Sequence, residues 1–139
     1  MPEAYPSEEA SGPTPDGDVY EWLQRGLQLL ADRHPDAAAT LLARAATAEP
    51  GSRSIREALA RAQYDAGRYR EAIESFTGLI AVHPTDDYAQ FGLGLAASRA
   101  GELGLAAEHL ALAVAMRPDL AHYGRALRAV RARLERESA

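Results

Sequence analysis

Three prolines, Pro50, Pro84 and Pro118, fall at 34-residue intervals, and each closes an apolar stretch in a similar way: TAEPGSR, AVHPTDD and AMRPDLA. A proline there removes a backbone donor and disfavours helical geometry in the residue before it, so it stops a helix and forces a turn. A stop that returns at one fixed interval restricts the chain to architectures made of equal layers. Repeats of this length stack as solenoids, because no single layer can bury its apolar face alone.

Aligned on those prolines, the chain divides into units 19–52, 53–86 and 87–120, with 121–139 left over. From Asp18 onward apolar residues recur at three- and four-residue spacing, the mark of amphipathic helices, and the alternation of a strand is missing. Each unit reads as two helices. The second breaks at Gly67 and the third at Gly101, 34 residues later, where glycine can close a helix in a left-handed conformation. The first breaks at ADRHPDAAA, where Pro35 suits the first turn of the next helix but the glycine is absent. Ala38, Ala72 and Ala106 also recur in register, each followed four residues on by a bulky group, Leu42, Phe76 or Leu110. The small residue lets two helices approach and the large one fills the space beside it. Asp86, Asp87 and Asp119, just after the prolines, suit the positive end of a new helix.

Residues 121–136 read as a further helix with Tyr123, Leu127, Val130 and Leu134 on one side, fit to cap the stack. Its arginines, Arg125, Arg128, Arg131, Arg133 and Arg136, read as a solvated face, a basic partner-binding surface being the other reading. The expected fold is all-α: a right-handed α-solenoid of three helix-turn-helix repeats plus a capping helix, spanning residues 18–139.

Residues 1–17 hold four of the eight prolines with Ser, Gly and acids, and read as a flexible tail. Glu3, Glu8, Glu9, Asp16 and Asp18 account for the net charge of -5, leaving the rest balanced, so no nucleic-acid partner is expected. With no cysteine there is neither a disulfide framework nor a thiolate metal site. No basic start leads into an apolar run, and no apolar stretch is long enough to span a bilayer; a cytoplasmic protein without a membrane partner is expected.

The aligned units resemble the tetratricopeptide repeat, whose pattern is W-x2-L-G-x2-Y, then A-x3-F, then P. The first unit carries Trp22, Gly26, Ala38, Leu42 and Pro50, with Arg25 and Leu29 departing from Leu and Tyr. The second carries Leu59, Ala72, Phe76 and Pro84, with Ala60 in the small position and Gln63 where Tyr is usual. The third carries Leu93, Gly94, Ala106, Leu110 and Pro118. The resemblance covers residues 19–120. It implies a binding module, in which the leading helix of each unit lines a concave groove that takes a peptide or helix of another protein. Some members clamp a C-terminal carboxylate with Lys, Asn and Arg. The matching positions here, Leu23, Leu27, Ala58, Tyr88 and Gly92, keep none of that clamp.

The residues expected in the groove are Tyr20, Leu23, Leu27, Tyr64, Tyr88, Phe91 and Leu95, interrupted by Glu57, Arg61 and Arg99. Aromatics beside small neighbours make shallow pockets for anchoring side chains, and the arginines suit acids on a ligand. The other reading of the same aromatics is packing between neighbouring helices. Self-association through the groove or an end surface is the alternative function, giving a homo-oligomer. The tail, with Tyr5, Pro6, Glu8 and Glu9, is a further candidate occupant near Arg61 and Arg99. Catalysis is not expected: His34, His83, His109 and His122 have no metal or triad spacing, Gly92 and Gly94 lack a phosphate-loop context, and no cofactor is implied.

Overall fold

Helices account for most of the described residues, 18–139, in a computed structural model; the expected tail, 1–17, lies outside the described residues. In order they are α1 (Val19–Ala31), α2 (Pro35–Ala48), α3 (Arg53–Asp65), α4 (Tyr69–Val82), α5 (Asp87–Arg99), α6 (Leu103–Met116) and α7 (Ala121–Ser138), with no strand among the described residues. Each helix packs on the next in sequence. In addition α1 meets α3, α3 meets α5 and α5 meets α7, whereas α2, α4 and α6 do not meet one another. Helices closer together on one side than on the other curl the stack, so α1, α3, α5 and α7 form its inner layer. The fold is the all-α helical repeat that the 34-residue period implies.

The two kinds of junction explain that period. Within each unit the chain reverses by one repeated pair of backbone bonds. His34 N donates to Leu29 O at 2.8 Å, Arg68 N to Gln63 O at 2.8 Å and Glu102 N to Ala97 O at 2.9 Å. The residue before each donor must take a positive φ. Gly67 (79°) and Gly101 (85°) do so without steric cost, but the first unit puts Arg33 there at 66°. A side chain in this region crowds the following carbonyl. Arg33→Gly should therefore raise stability by about 0.5 to 1 kcal/mol, the gain being reduced by glycine's greater freedom when unfolded. A urea midpoint no higher than that of the parent would contradict this.

Between units, the prolines sit just after the last helical turn. Ser52 N donates to Glu49 O, Asp86 N to His83 O and Leu120 N to Arg117 O, at 3.1, 3.0 and 3.2 Å. Ser52 and Asp86 then cap the next helix, accepting from Ile55 N at 3.3 Å and Ala89 N at 3.0 Å. The third junction differs from expectation. Leu120 occupies the cap position of α7, and Asp119 turns back to accept two bonds from the Arg117 guanidinium at 3.0 and 2.9 Å. Asp119 thus braces the turn rather than the start of α7.

Ala38, Ala72, Ala106, Leu42 and Leu110 are wholly buried and Phe76 nearly so. Small residues opposite them are a steric requirement. A Cβ on Gly26 would come within 2.6 Å of Leu42, one on Gly94 within 2.6 Å of Leu110, and one on Gly92 within 2.3 Å of the Phe76 ring. The buried Gln90 amide is paired: it donates from Nε2 to Pro84 O at 3.2 Å and meets His109 Nδ1 at 2.7 Å, tying a proline turn to α5 and α6. Burial holds the His109 imidazole below its usual range, so the neutral ring donates to Gln90. The last helix runs to Ser138, a little past the expected 136. It covers the end of the array with Tyr123, Leu127 and Val130, and its Tyr123 hydroxyl donates to Asp87 at 2.7 Å.

Candidate functional site

The inner layer carries a row of connected hollows. The first, about 330 Å³, is walled by Leu23 and Leu27 of α1, Ser54, Glu57, Ala58 and Arg61 of α3, and Tyr88 of α5. The second, about 200 Å³, shares Arg61 and Tyr88 with it and continues over Tyr64, Phe91, Gly92 and Leu95 to the edge of Phe76. Tyr88 stands between them, 39% exposed, its ring edge-on to Phe76 at 6.1 Å. Helical spacing explains the wall. Tyr88, Phe91 and Leu95 fall three and four residues apart on α5, and Ala58 and Gly92 are small enough to leave the depressions open.

A charged cluster adjoins the first hollow through Glu57. Asp86, buried at the start of α5, accepts from Arg53 Nε and Nη2 at 3.2 and 3.1 Å, and Arg53 also approaches Glu57 at 3.5 Å. Burial, then the hydrogen bond and charge of Asp86, push the Glu57 carboxyl up to about 7. Burial opposes charge on Asp86 too, but bonds from Glu57, the Ala89 backbone and Arg53 outweigh it and hold Asp86 below its usual range. Below about pH 7 Glu57 is therefore mainly protonated beside an ionised Asp86. The sign follows. With a folded-state value raised from 4.5 to about 7, Glu57's favourable contribution is complete below about 4.5 and is lost progressively as pH rises from there through about 7. Glu57→Gln keeps the donor and removes the ionisation. It should leave stability unchanged near pH 4 and raise it by about 1 kcal/mol near pH 8, the full shift being discounted because the side chain retains water contact. Equal gains at both pH values in chemical unfolding would refute this.

A third hollow, about 490 Å³, opens by the ends of α1, α3 and α5 and the starts of α2 and α4, lined by Leu30, Arg33, Pro35, Tyr64, Asp65, Tyr69 and Arg99. Tyr64 lies edge-on to Tyr69 at 5.4 Å, and the Arg99 guanidinium sits 4.8 Å over the Tyr69 ring. Asp65 faces Arg61 at 3.7 Å.

Of the residues expected in one groove, Leu23, Leu27, Glu57, Arg61, Tyr64, Tyr88, Phe91 and Leu95 line the first two hollows. Arg99 lines the third, with Tyr64 again. Tyr20 is 67% exposed and walls none of these hollows. Phe91 does two things: it faces the second hollow, yet its ring stacks on Tyr123 of α7 at 4.3 Å and meets His122 edge-on at 5.3 Å. Sequence reasoning missed Arg33, Ser54, Asp65 and Tyr69. For Arg33 and Tyr69 the register held the signal, since they share positions with Gly67 and Pro35. The histidines lie apart, and no group of three or more His, Cys, Asp or Glu among the described residues is arranged to hold a metal ion. No described helix is long and apolar enough to cross a membrane.

Comparison with known proteins agrees with the repeat fold. Two tetratricopeptide repeat family models match, one over residues 57–121 and the other over 29–74. No curated protein matches in sequence. Similar solved structures include MamA from Desulfovibrio magneticus RS-1, at 21% identity and TM-score 0.81, covering 85% of this chain and 67% of that one. The Sgt2 TPR domain from Aspergillus fumigatus aligns at 20% identity and TM-score 0.79, over 93% of this chain and 85% of that one. The first TPR of Spaghetti (RPAP3), bound to the HSP90 peptide SRMEEVD, aligns at 15% identity and TM-score 0.79, over 84% and 93%. At these identities the structures speak to the fold, and the family models carry the rest. Together those models span residues 29–121, the same register as the repeated prolines, junctions and alanines, and the chain belongs to the tetratricopeptide repeat family.

Proposed function

We propose that this chain is a non-catalytic protein-interaction module that holds an extended peptide or a helical segment of a partner along α1, α3 and α5. One observation carries the reading: two adjoining hollows on the inner layer are walled mainly by apolar and aromatic side chains, with half-exposed Tyr88 between them. Rigid aromatics beside depressions are the usual anchors of protein recognition, because they lose little freedom on binding. The similar Spaghetti domain with its bound HSP90 peptide supports a peptide as ligand. The chemistry favoured here is different from carboxylate clamping. Leu23, Leu27, Ala58 and Tyr88 offer apolar contact, and Glu57 would repel a terminal carboxylate once ionised. The preferred segment presents apolar or aromatic side chains at the spacing of the two hollows.

Selection of ligands from a random peptide library, followed by amide shift mapping, tests the reading. Shifts should cluster on Leu23, Leu27, Tyr88 and Leu95. Clustering on α7 or on α2, α4 and α6 would overturn it. Light scattering over a concentration series gives the other outcome: a mass that doubles would assign the hollows to a second copy.

A further inference from the structure

The third hollow has an electrostatic imbalance. Arg33 and Arg99 both line it, and neither forms an ion pair among the described residues; Arg99 lies over the Tyr69 ring instead. Its lining carboxylate, Asp65, is turned to Arg61. Arg33 is also the residue that takes a left-handed conformation where the other two units use glycine. A conformation with a steric cost, kept by a charged side chain at the rim of a cavity, points to a use for that side chain. An anionic group between Arg33 and Arg99 would balance the site.

A carboxylate-rich segment is already attached to the same helix. Residues 1–17 contain Glu3, Glu8, Glu9 and Asp16 with no Arg or Lys, and lead into α1 at Asp18. From Asp18 to Leu30 the helix rises about 18 Å. The residues between Glu9 and Asp18, extended as their prolines favour, reach about 28 Å. Glu8 and Glu9 can therefore arrive at the hollow with chain to spare. On the way Pro13 and Pro15 would cross the first hollow, and proline-rich segments dock readily on aromatic-lined grooves such as the one edged by Tyr88. Attachment gives the segment a local concentration on the order of millimolar, so individually weak exposed ion pairs suffice.

We propose that the chain's own acidic segment lies along α1, with Glu8 and Glu9 at Arg33 and Arg99, and covers the groove in cis. The docking stands on the charges and the reach; only its consequence, competition with a partner, rests on the function proposed above.

Because the chain has no cysteine, Ser7→Cys gives a single site for a nitroxide label in the full chain. Amide signals of Leu30, Arg33, Tyr64 and Tyr69 should lose intensity selectively, to the same extent on dilution. The loss should be relieved by high salt, by Glu8→Gln with Glu9→Gln, and by Arg33→Gln with Arg99→Gln. These are surface changes, and circular dichroism checks that each variant stays folded. Uniform intensities would overturn the proposal. So would a loss that grows with concentration, which means docking on another copy, or one that survives both charge-removing variants, which means apolar rather than carboxylate recognition. None of those results bears on partner binding, which library peptides and the Tyr88 variant test independently.

Discussion

Phe76→Ala should destabilise the array by about 3 to 5 kcal/mol. The ring is 2% exposed in the middle layer, packed with Ala60, Ala72, Leu79, Ala89, Leu93 and Ala96. Most of those neighbours are alanines with no longer side chain to swing into the space, and Gly92, against the ring face, adds none. The cavity would stay open, which places the cost in the upper part of the range for such truncations. The position adds a second effect. In a stack where each layer touches only its neighbours, weakening the middle layer uncouples the outer two. Trp22, the single tryptophan, reports on the first unit, while circular dichroism reports on all helices. The two signals should coincide in the parent and separate in the variant. Leu112→Ala, at a 41% exposed site on α6, should change stability by about 0.5 kcal/mol or less. A Phe76→Ala loss no larger than that would mean the ring is not the keystone of the middle layer.

The layers were legible because their causes are local and repeated. A proline ends a helix wherever it falls after an apolar run, and Ala38, Ala72 and Ala106 share one spacing to one bulky partner, so fold, units and core followed from periodicity. The inner stripe of α5 was legible for the same reason. What escaped depends on chain far away. Whether Phe91 is an open anchor or a packing residue is decided by Tyr123, which stacks on it from α7. Glu57 reads as an ordinary charged interruption until Asp86, at the far end of the same unit, is set beside it. Tyr69 opens α4, outside the leading helices to which the groove was assigned, and it joins a hollow where Arg99 of α5 lies over its ring. Tyr20 has the helical spacing of a groove residue but falls beyond the hollows, because no helix precedes α1 among the described residues to wall it in. Asp119 had the composition of a helix cap and was claimed by Arg117, two residues before it.

Tyr88→Ala should weaken a groove-selected peptide by about 2 kcal/mol, roughly 30-fold in Kd. Its side chain walls both hollows, so truncation merges them into one shallow trough and removes the surface against which two ligand side chains would be held apart. Burial raises its phenol above the usual range, so the hydroxyl stays protonated and can donate to a ligand carbonyl at any physiological pH. Phe91 would be a poorer probe, since removing it unstacks Tyr123 and disturbs the capping helix together with the groove. Tyr88 does touch Phe76 edge-on, so its loss carries a modest structural cost, about 1 kcal/mol for such an aromatic pair. Leu27→Ser supplies the independent check: Leu27 is 39% exposed on the opposite wall of the first hollow, outside the Phe76 cluster. A ligand bridging the two walls loses affinity in both variants, with the loss expressed chiefly as faster dissociation. Parent-like affinity in both, with thermal unfolding showing each folded, would remove the groove from consideration as the binding surface.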